Sequence, residues 1–359
     1  MKTNFVLFAC LLGAITSTQP AYVAAEGRTP TLIDQAPGVL EVSPKQRNEV
    51  VLSLADQLES TFYSPNIGAA YAAMLRDKAR SGGYDHINDR LLLAKTVTGD
   101  LQAVNQDKHL SLQAGAPGIA PDGRRREDIK AIAKSGWIAN GVAYLEFRIF
   151  NGTQASLDEL NQFISDHGTA KTLIIDVRRH YGGGLDEMDV LFPALFRRPT
   201  KLLQAETRLA VAERTPGELE STPTWFRLTA PSSIVRHEHR AIPPKGGGVL
   251  KNARVYLLVS KNTVSAGEHF ALALKRTGRA TLIGEPTRGA GNFGQSYGLP
   301  NNFSAFIPFG RTFDPDTGNG WEGIGVKPSV EVAAEKGLDE ALKLEGLELT
   351  SESALASLT

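Results

Sequence analysis

Between Lys45 and Leu112 the apolar residues return every three or four positions. Val50, Val51, Leu54 and Leu58 are followed by Ala69, Ala72, Ala73 and Leu75, then by Leu91, Leu92, Leu93, Val97, Leu101 and Val104. That period belongs to helices packed on one face. Gly82-Gly83 and Asn88-Asp89 mark the breaks between them. Ala114 to Asp128 holds glycine, proline and the basic run Arg124-Arg125-Arg126 and reads as a solvated connection. Beyond it the period changes. Val142 to Phe150 alternates like a strand, and a helix carrying Leu160, Phe163 and Ile164 starts near Ser156 and Glu159. Thr172 to Val177 and Val255 to Val259 are short apolar runs of the kind found in buried parallel strands. Helices are expected over Asp186 to Phe196, Ser265 to Arg276 and Leu338 to Glu345, with shorter strands at Ala280–Ile283, Gln295–Leu299 and Phe303–Pro308. Strands alternating with helices predict an α/β core built of βαβ units, preceded by a small helical domain.

The first residues differ from all of this. Lys2 precedes an uncharged apolar run from Phe5 to Ile15, and small residues at Val23-Ala24-Ala25 stand ahead of Glu26. The order matches a secretory signal peptide, and the run is too short to span a bilayer. The expected organisation is a signal peptide at 1–25, a helical domain at 26–115, a linker at 116–135, a catalytic domain at 136–348 and a frayed Ser/Thr/Ala-rich tail at 349–359. Export would place the product in the periplasm or outside the cell. The one cysteine, Cys10, falls within the signal, so neither a disulfide framework nor a zinc-thiolate site is expected. Lys plus Arg equals Asp plus Glu, 39 each, so no bulk charge draws the chain to nucleic acid, and no later segment predicts membrane insertion.

Few segments carry chemistry. Ser265, in Asn262-Thr263-Val264-Ser265-Ala266-Gly267-Glu268, follows one buried strand and opens a helix whose first amides can stabilise a developing oxyanion. Ser265 with Glu268 is also a helix capping box, and taken alone capping explains it better. Gly182-Gly183-Gly184, after the strand ending Asp176-Val177, can bring bare amides to a ligand or form a plain turn. His109 in Asp107-Lys108-His109 is a candidate base, although a lone histidine is more often a packing residue. Glu322, beside Trp321 among several glycines, is either a fixed carboxylate or an exposed one in a turn-rich loop. His237-Glu238-His239 has i, i+2 spacing and no third ligand, so it reads as a solvated loop rather than a metal site.

The order of these segments is more specific than any one of them. Tyr63, Gly83-Tyr84, Asp107-x-His109, Gly141-Val142-Ala143-Tyr144 with Phe150, Asp176-x-Arg178…Gly182-Gly183, Ser265-Ala-Gly-Glu268, Gly278-Arg279-Ala280…Gly284-Glu285-x-Thr287 and Gly325-Val326-x-Pro328 resemble, in sequence, the tail-specific (C-terminal processing) serine peptidases, whose core is ClpP/crotonase-like. The position of the bacterial branch's general-base lysine is Ala290 here, and no PDZ domain fits between His109 and Gly141. The chain is therefore more similar to the branch of tricorn core proteases and interphotoreceptor retinoid-binding protein modules. That resemblance implies Ser265 as nucleophile, His109 as base, Glu322 as the group orienting it, and the Gly183 and Ala266 amides as oxyanion donors. It implies no metal or organic cofactor and a peptide or protein substrate. His180 stands for the usual asparagine, and Ser329 for the usual aspartate.

A serine hydroxyl near neutral pH needs a base within hydrogen-bond reach, and a carboxylate behind an imidazole fixes its tautomer. Arg288, close to the missing lysine, cannot serve because guanidinium does not deprotonate. His269, one helical turn after Ser265, is the rival base, but it would have to reach back past the helix start. The expected activity is that of an exported serine peptidase. The alternatives are an esterase with the same triad and a non-catalytic module binding apolar ligands. With a histidine base, hydrolysis is expected to fall as pH drops through about 6 to 7. A pH–rate profile that stays flat down to about pH 4 would contradict it.

Overall fold

In a computed structural model, residues 41–117, 128–215, 217–356 and 358 are described. The signal segment 1–25 and Arg124-Arg125-Arg126 lie outside them. The chain opens with α1 (Pro44–Thr61), α2 (Pro65–Arg80), α3 (Arg90–Val104) and β1 (Ser111–Ala114). It continues through β2 (Ile132–Ala139), β3 (Val142–Phe147), α4 (Gln154–Asp166), β4 (Thr172–Asp176), α5 (Asp186–Leu195), β5 (Thr200–Arg208) and α6 (Leu209–Ala212). Next come β6 (Trp225–Leu228), β7 (Ile234–Ala241), β8 (Arg254–Val259), α7 (Ala266–Arg276) and β9 (Thr281–Gly284). The last elements are β10 (Asn292–Leu299), β11 (Phe303–Phe313), β12 (Val330–Glu331), α8 (Gly337–Leu344) and α9 (Ser351–Leu355).

The three opening helices start where local chemistry favours it. Ser43 and Gln46 form a reciprocal capping box on α1, with Pro44 in the first turn, and Asp89 accepts from the Leu92 amide to cap α3. Their buried faces hold Val50, Leu54, Leu58, Tyr71, Leu75, Leu93, Val97 and Leu101, in one cluster with Phe303, Ala305 and Ile307 of β11. Leu91 and Leu92 carry the helical period but face outward. This packing sets the chain after α3, including His109, against β11. There the His109 ring stacks on Phe306 with centroids 5.0 Å apart.

Two six-stranded sheets form the rest. One has the order β12-β9-β8-β4-β3-β2, parallel except for the antiparallel β2–β3 pair at its edge. The other is antiparallel, β1-β11-β5-β7-β6, with β10 also paired to β11. The α/β class expected from the alternating pattern is the one observed. All five residues of β4 are buried, as a central parallel strand requires. Apolar side chains of β3, β4 and β8 pack with α4, α5, α7 and Leu202 and Leu203 of β5 on one face of the sheet, and with α8 and α9 on the other.

Several local expectations needed correction. Helix α4 is capped by Thr153, whose hydroxyl accepts from the Ser156 amide, so it begins before Ser156. Strand β2 begins at Ile132, inside the stretch read as a connection, because pairing with β3 rather than its own weak pattern makes it a strand. His237-Glu238-His239 is not a solvated loop. The three residues lie on β7, each about 1% exposed, and their polar atoms are met across the sheet and from neighbouring segments. The tail is not frayed as far as it is described. Thr350 and Ser353 cap α9 reciprocally, and Ala354 and Leu358 pack on Ile138, Val142 and Leu342. Ala354→Asp, which sets a carboxylate against that surface, is expected to cost about 2 kcal/mol or more in denaturant unfolding; a frayed end would lose nothing.

Candidate active site

Strands β4 and β8 are parallel neighbours, and the loops at their carboxyl ends are joined side by side. The Thr263 hydroxyl donates to the Val177 carbonyl (2.8 Å), the Ser260 hydroxyl to that of Arg178 (2.6 Å), and the Val264 amide to that of His180 (3.1 Å). Ser265 is thereby held at φ 56°, ψ −116°. An ordinary N-cap is extended. This conformation is costly for a residue bearing a Cβ and survives only where the surroundings impose it. It separates Ser265 from a simple helix cap.

The imposing group is Glu268. The side chain is buried, and its carboxylate accepts from the amides of Ser265 (2.9 Å), Gly289 (2.6 Å) and Ala290 (2.9 Å) and from the Thr287 hydroxyl (2.6 Å). Only the carboxylate half of the capping box has this wider use: it fastens the serine turn to residues 287–290. Burial pushes the carboxyl up to about 7, against the pull of those four donors.

Gly183 fits because it has no side chain. A Cβ there would stand 1.9 Å from the Phe150 carbonyl oxygen, at a φ of 125°. Phe150 and Gly183 form a bridge, with the Phe150 amide on the Gly182 carbonyl and the Gly184 amide on that of Phe150. Among the described residues neither the Gly183 nor the Ala266 amide is used in a hydrogen bond. Both residues line, with Ser265, a cavity of about 330 Å³. His180 supports this turn. It is fully buried, its Nδ1 accepts from the Gly182 amide (3.1 Å), and desolvation lowers its pKa to about 3, which keeps the ring neutral. An asparagine carbonyl can accept the same bond, so the substitution noted in the sequence preserves the acceptor.

His109 and Glu322 are not on the wall of that cavity. They are joined to it by residues 290–292, which are. Glu322 accepts from the amides of Lys108 (2.7 Å), Gly291 (2.6 Å) and Asn292 (3.0 Å), while Asp107 accepts from those of His109 (2.9 Å) and Leu110 (3.0 Å) and from the Asn292 side chain (2.8 Å). One ligand-type atom each from Asp107, His109 and Glu322 lies within 4.8 Å of the others. A carboxylate has about four lone-pair positions. Three are taken on each acid, which leaves room to orient an imidazole and little to coordinate a cation. Burial raises both carboxyls, and each of them is pulled back by its N–H donors. Trp321 is buried, with its indole N–H on the Ala290 carbonyl (3.0 Å), and fixes the Glu322 turn against the same segment.

A family model described as peptidase family S41 matches residues 141–332, which hold both loops and Glu322. The chain belongs to peptidase family S41. It is a serine-type peptidase. A second model, the N-terminal domain of peptidase S41 in eukaryotic IRBP, matches residues 31–136. Among solved structures, the S41 chain is similar to a putative peptidase from Parabacteroides merdae (TM-score 0.53, 16% identity, 88% of this chain and 96% of that one). It is also similar to the photosystem II D1 C-terminal processing protease (0.51, 14%, 86% and 98%) and to the tricorn protease (0.53, 13%, 88% and 36%). At these identities the likeness is one of fold.

Sequence reasoning named Asp107 only as part of the Asp107-x-His109 motif, without a role of its own, and missed Asn292 and the wider reach of Glu268. Asp107 had a visible signal, since an Asp two residues before another residue can accept its amide. Asn292 had none, because it meets Asp107 only through the pairing of β10 with β11 and the packing of the helices on that sheet. The Arg178 side chain is bound to Asp176 and to the Ala334 carbonyl. His269, the rival base, is turned toward β7, where its Nε2 meets His239 Nδ1 at 2.8 Å.

A folded pKa above the ordinary glutamate value means that Glu268 favours the folded state most at low pH, and that this contribution is withdrawn as pH rises through about 7. Glu268→Gln sets an amide against backbone N–H groups and is expected to be less stable than the parent at every pH. In urea unfolding, the difference should narrow by roughly 2 kcal/mol between pH 5 and pH 8.

Proposed function

We propose that the chain is an exported peptidase that cleaves peptide bonds through an acyl-enzyme on Ser265. One observation carries the assignment: a serine forced to φ 56° stands at a cavity it shares with two unused amides. The Ser265 hydroxyl attacks the scissile carbonyl carbon as its proton passes to the His109 imidazole. The carbonyl oxygen, now an oxyanion, takes the amides of Gly183 and Ala266, which are fixed before reaction begins. The carbon–nitrogen bond breaks and the leaving amine takes the proton from His109. Water, deprotonated by the same imidazole, then releases the acid and restores the serine.

Glu322 keeps the imidazole in one tautomer and stabilises its charged form, with Asp107 holding the turn that carries it. Export is supported by Lys2, the apolar run Phe5–Ile15 and the small residues before Glu26. A second reading has its own support. Trp225, Phe293, Phe309 and Trp321 wall the cavity with aromatic rings, which suits binding of apolar ligands without turnover.

Ser265→Ala and His109→Ala are each expected to lower turnover of a peptide library by about 10³-fold or more, and the double variant no further. A fluorophosphonate probe should label the parent at Ser265. Absence of labelling, together with retained binding of apolar ligands, would favour the binding module; labelling with turnover of esters but not peptides would favour the esterase.

A further inference from the structure

Behind His269, one of the residues lining the cavity, runs a chain of polar side chains. Asp189, from α5, accepts from His239 Nε2 at 3.0 Å through one oxygen and from the Thr224 hydroxyl at 2.8 Å through the other. His239, from β7, meets His269 Nε2 through its Nδ1 at 2.8 Å. His239 is 1% exposed and His269 5%, and the aromatic rings of Phe192, Trp225 and Trp321 surround the pair. His269 itself lines the cavity with Ser265.

With both imidazoles neutral and Asp189 accepting, the donors and acceptors can run in one direction only. A carboxylate oxygen only accepts, so a neutral His239 would donate from Nε2 to Asp189 and present a lone pair at Nδ1. That lone pair takes the Nε2 proton of His269. His269 Nδ1 is then an acceptor, and it makes no hydrogen bond to any described residue. Burial among rings pushes the His269 pKa well down, so the neutral form persists.

We infer that the chain Asp189–His239–His269 makes His269 Nδ1 a fixed acceptor in a substrate side-chain pocket, selecting a flat apolar side chain that ends in a hydrogen-bond donor, as tyrosine does, for the residue supplying the scissile carbonyl. The placement follows from the cavity, which holds both oxyanion amides and His269, and the inference rests on the assignment of Ser265 as nucleophile. Leu185, Trp225, Phe293, Phe309 and Trp321 supply walls for a ring. Phenylalanine would fill the same space and leave the acceptor buried without a partner, the larger cost in such sites. Asp189 and His239 are positioning residues: they touch one another and His269, and they set which nitrogen carries the proton.

Equilibrium binding to the Ser265→Ala protein separates the pocket from catalysis. Peptides identical except for Tyr, Phe or Lys at the position supplying the scissile carbonyl are compared by calorimetry. Tyr is expected to bind about tenfold more tightly than Phe, and a second change, His239→Leu, should bring the Tyr-to-Phe ratio close to one. Leu fits the ring-lined site; if that variant does not fold, Asp189→Leu, which removes the acceptor facing His239 Nε2, replaces it and should shrink the ratio likewise. A ratio near one in the Ser265→Ala protein, a ratio unmoved by the variant that folds, or tightest binding by the Lys peptide would overturn the inference. Fluorophosphonate labelling of the parent serves as the separate control: if labelling fails while the Tyr preference holds, the nucleophile assignment falls and the pocket stands.

Discussion

The site depends on one buried carboxylate. Glu268 gathers three backbone amides and one hydroxyl from two separate segments, and no apolar contact can replace that function. The amide of a residue at φ 56° must point somewhere, and at Ser265 it points into this carboxylate. Burying the charge costs several kcal/mol before its hydrogen bonds are counted, and the raised pKa is the residue of that cost. A strained serine persists because its strain is shared with four hydrogen bonds that would be lost on relaxation.

Glu322 repeats the device on a second scale. It too gathers amides from segments distant in sequence, joining the turn after α3 to the start of β10. Residues 289–292 therefore lie between two carboxylates, one fixing the serine and one facing the histidine. Small residues permit this: at Gly291 a Cβ would meet the Glu322 amide nitrogen at 2.7 Å. The cavity on which Ser265 opens is thus framed by backbone under electrostatic tension from both sides, and backbone so held reorganises little when charge develops.

Legibility differed by region for physical reasons. Helices α1 to α3 and strands β4 and β8 were visible because each buries a continuous face or run of its own residues. The segment 200–241 gave little signal, since β5, β6 and β7 mix charged and apolar positions whose partners come from other strands: Glu206 with Arg236 and Arg311, and Glu238 with Gln204. His237-Glu238-His239 looked solvated for the same reason; its polarity is satisfied inside the protein. The tail was misjudged because Ala354 and Leu358 acquire a surface to bury against only when β2 and β3 are paired. Of the residues proposed for chemistry, Ser265, Gly183 and Ala266 share a cavity, and His109 and Glu322 share a cluster with Asp107.

By itself the sequence determined what local forces can determine: the helical opening, the central parallel strands, the glycine turn, and a motif order specific enough to indicate a serine peptidase. Hydrophobic period, capping and glycine conformation act within a few residues, so they are written in order along the chain. Only the tertiary structure decided which carboxylates are buried, which amides are left unused beside Ser265, and that His269 belongs to a chain ending at Asp189. Those outcomes depend on desolvation and on donors brought from segments up to some two hundred positions away, as between Lys108 and Glu322. No local pattern encodes them.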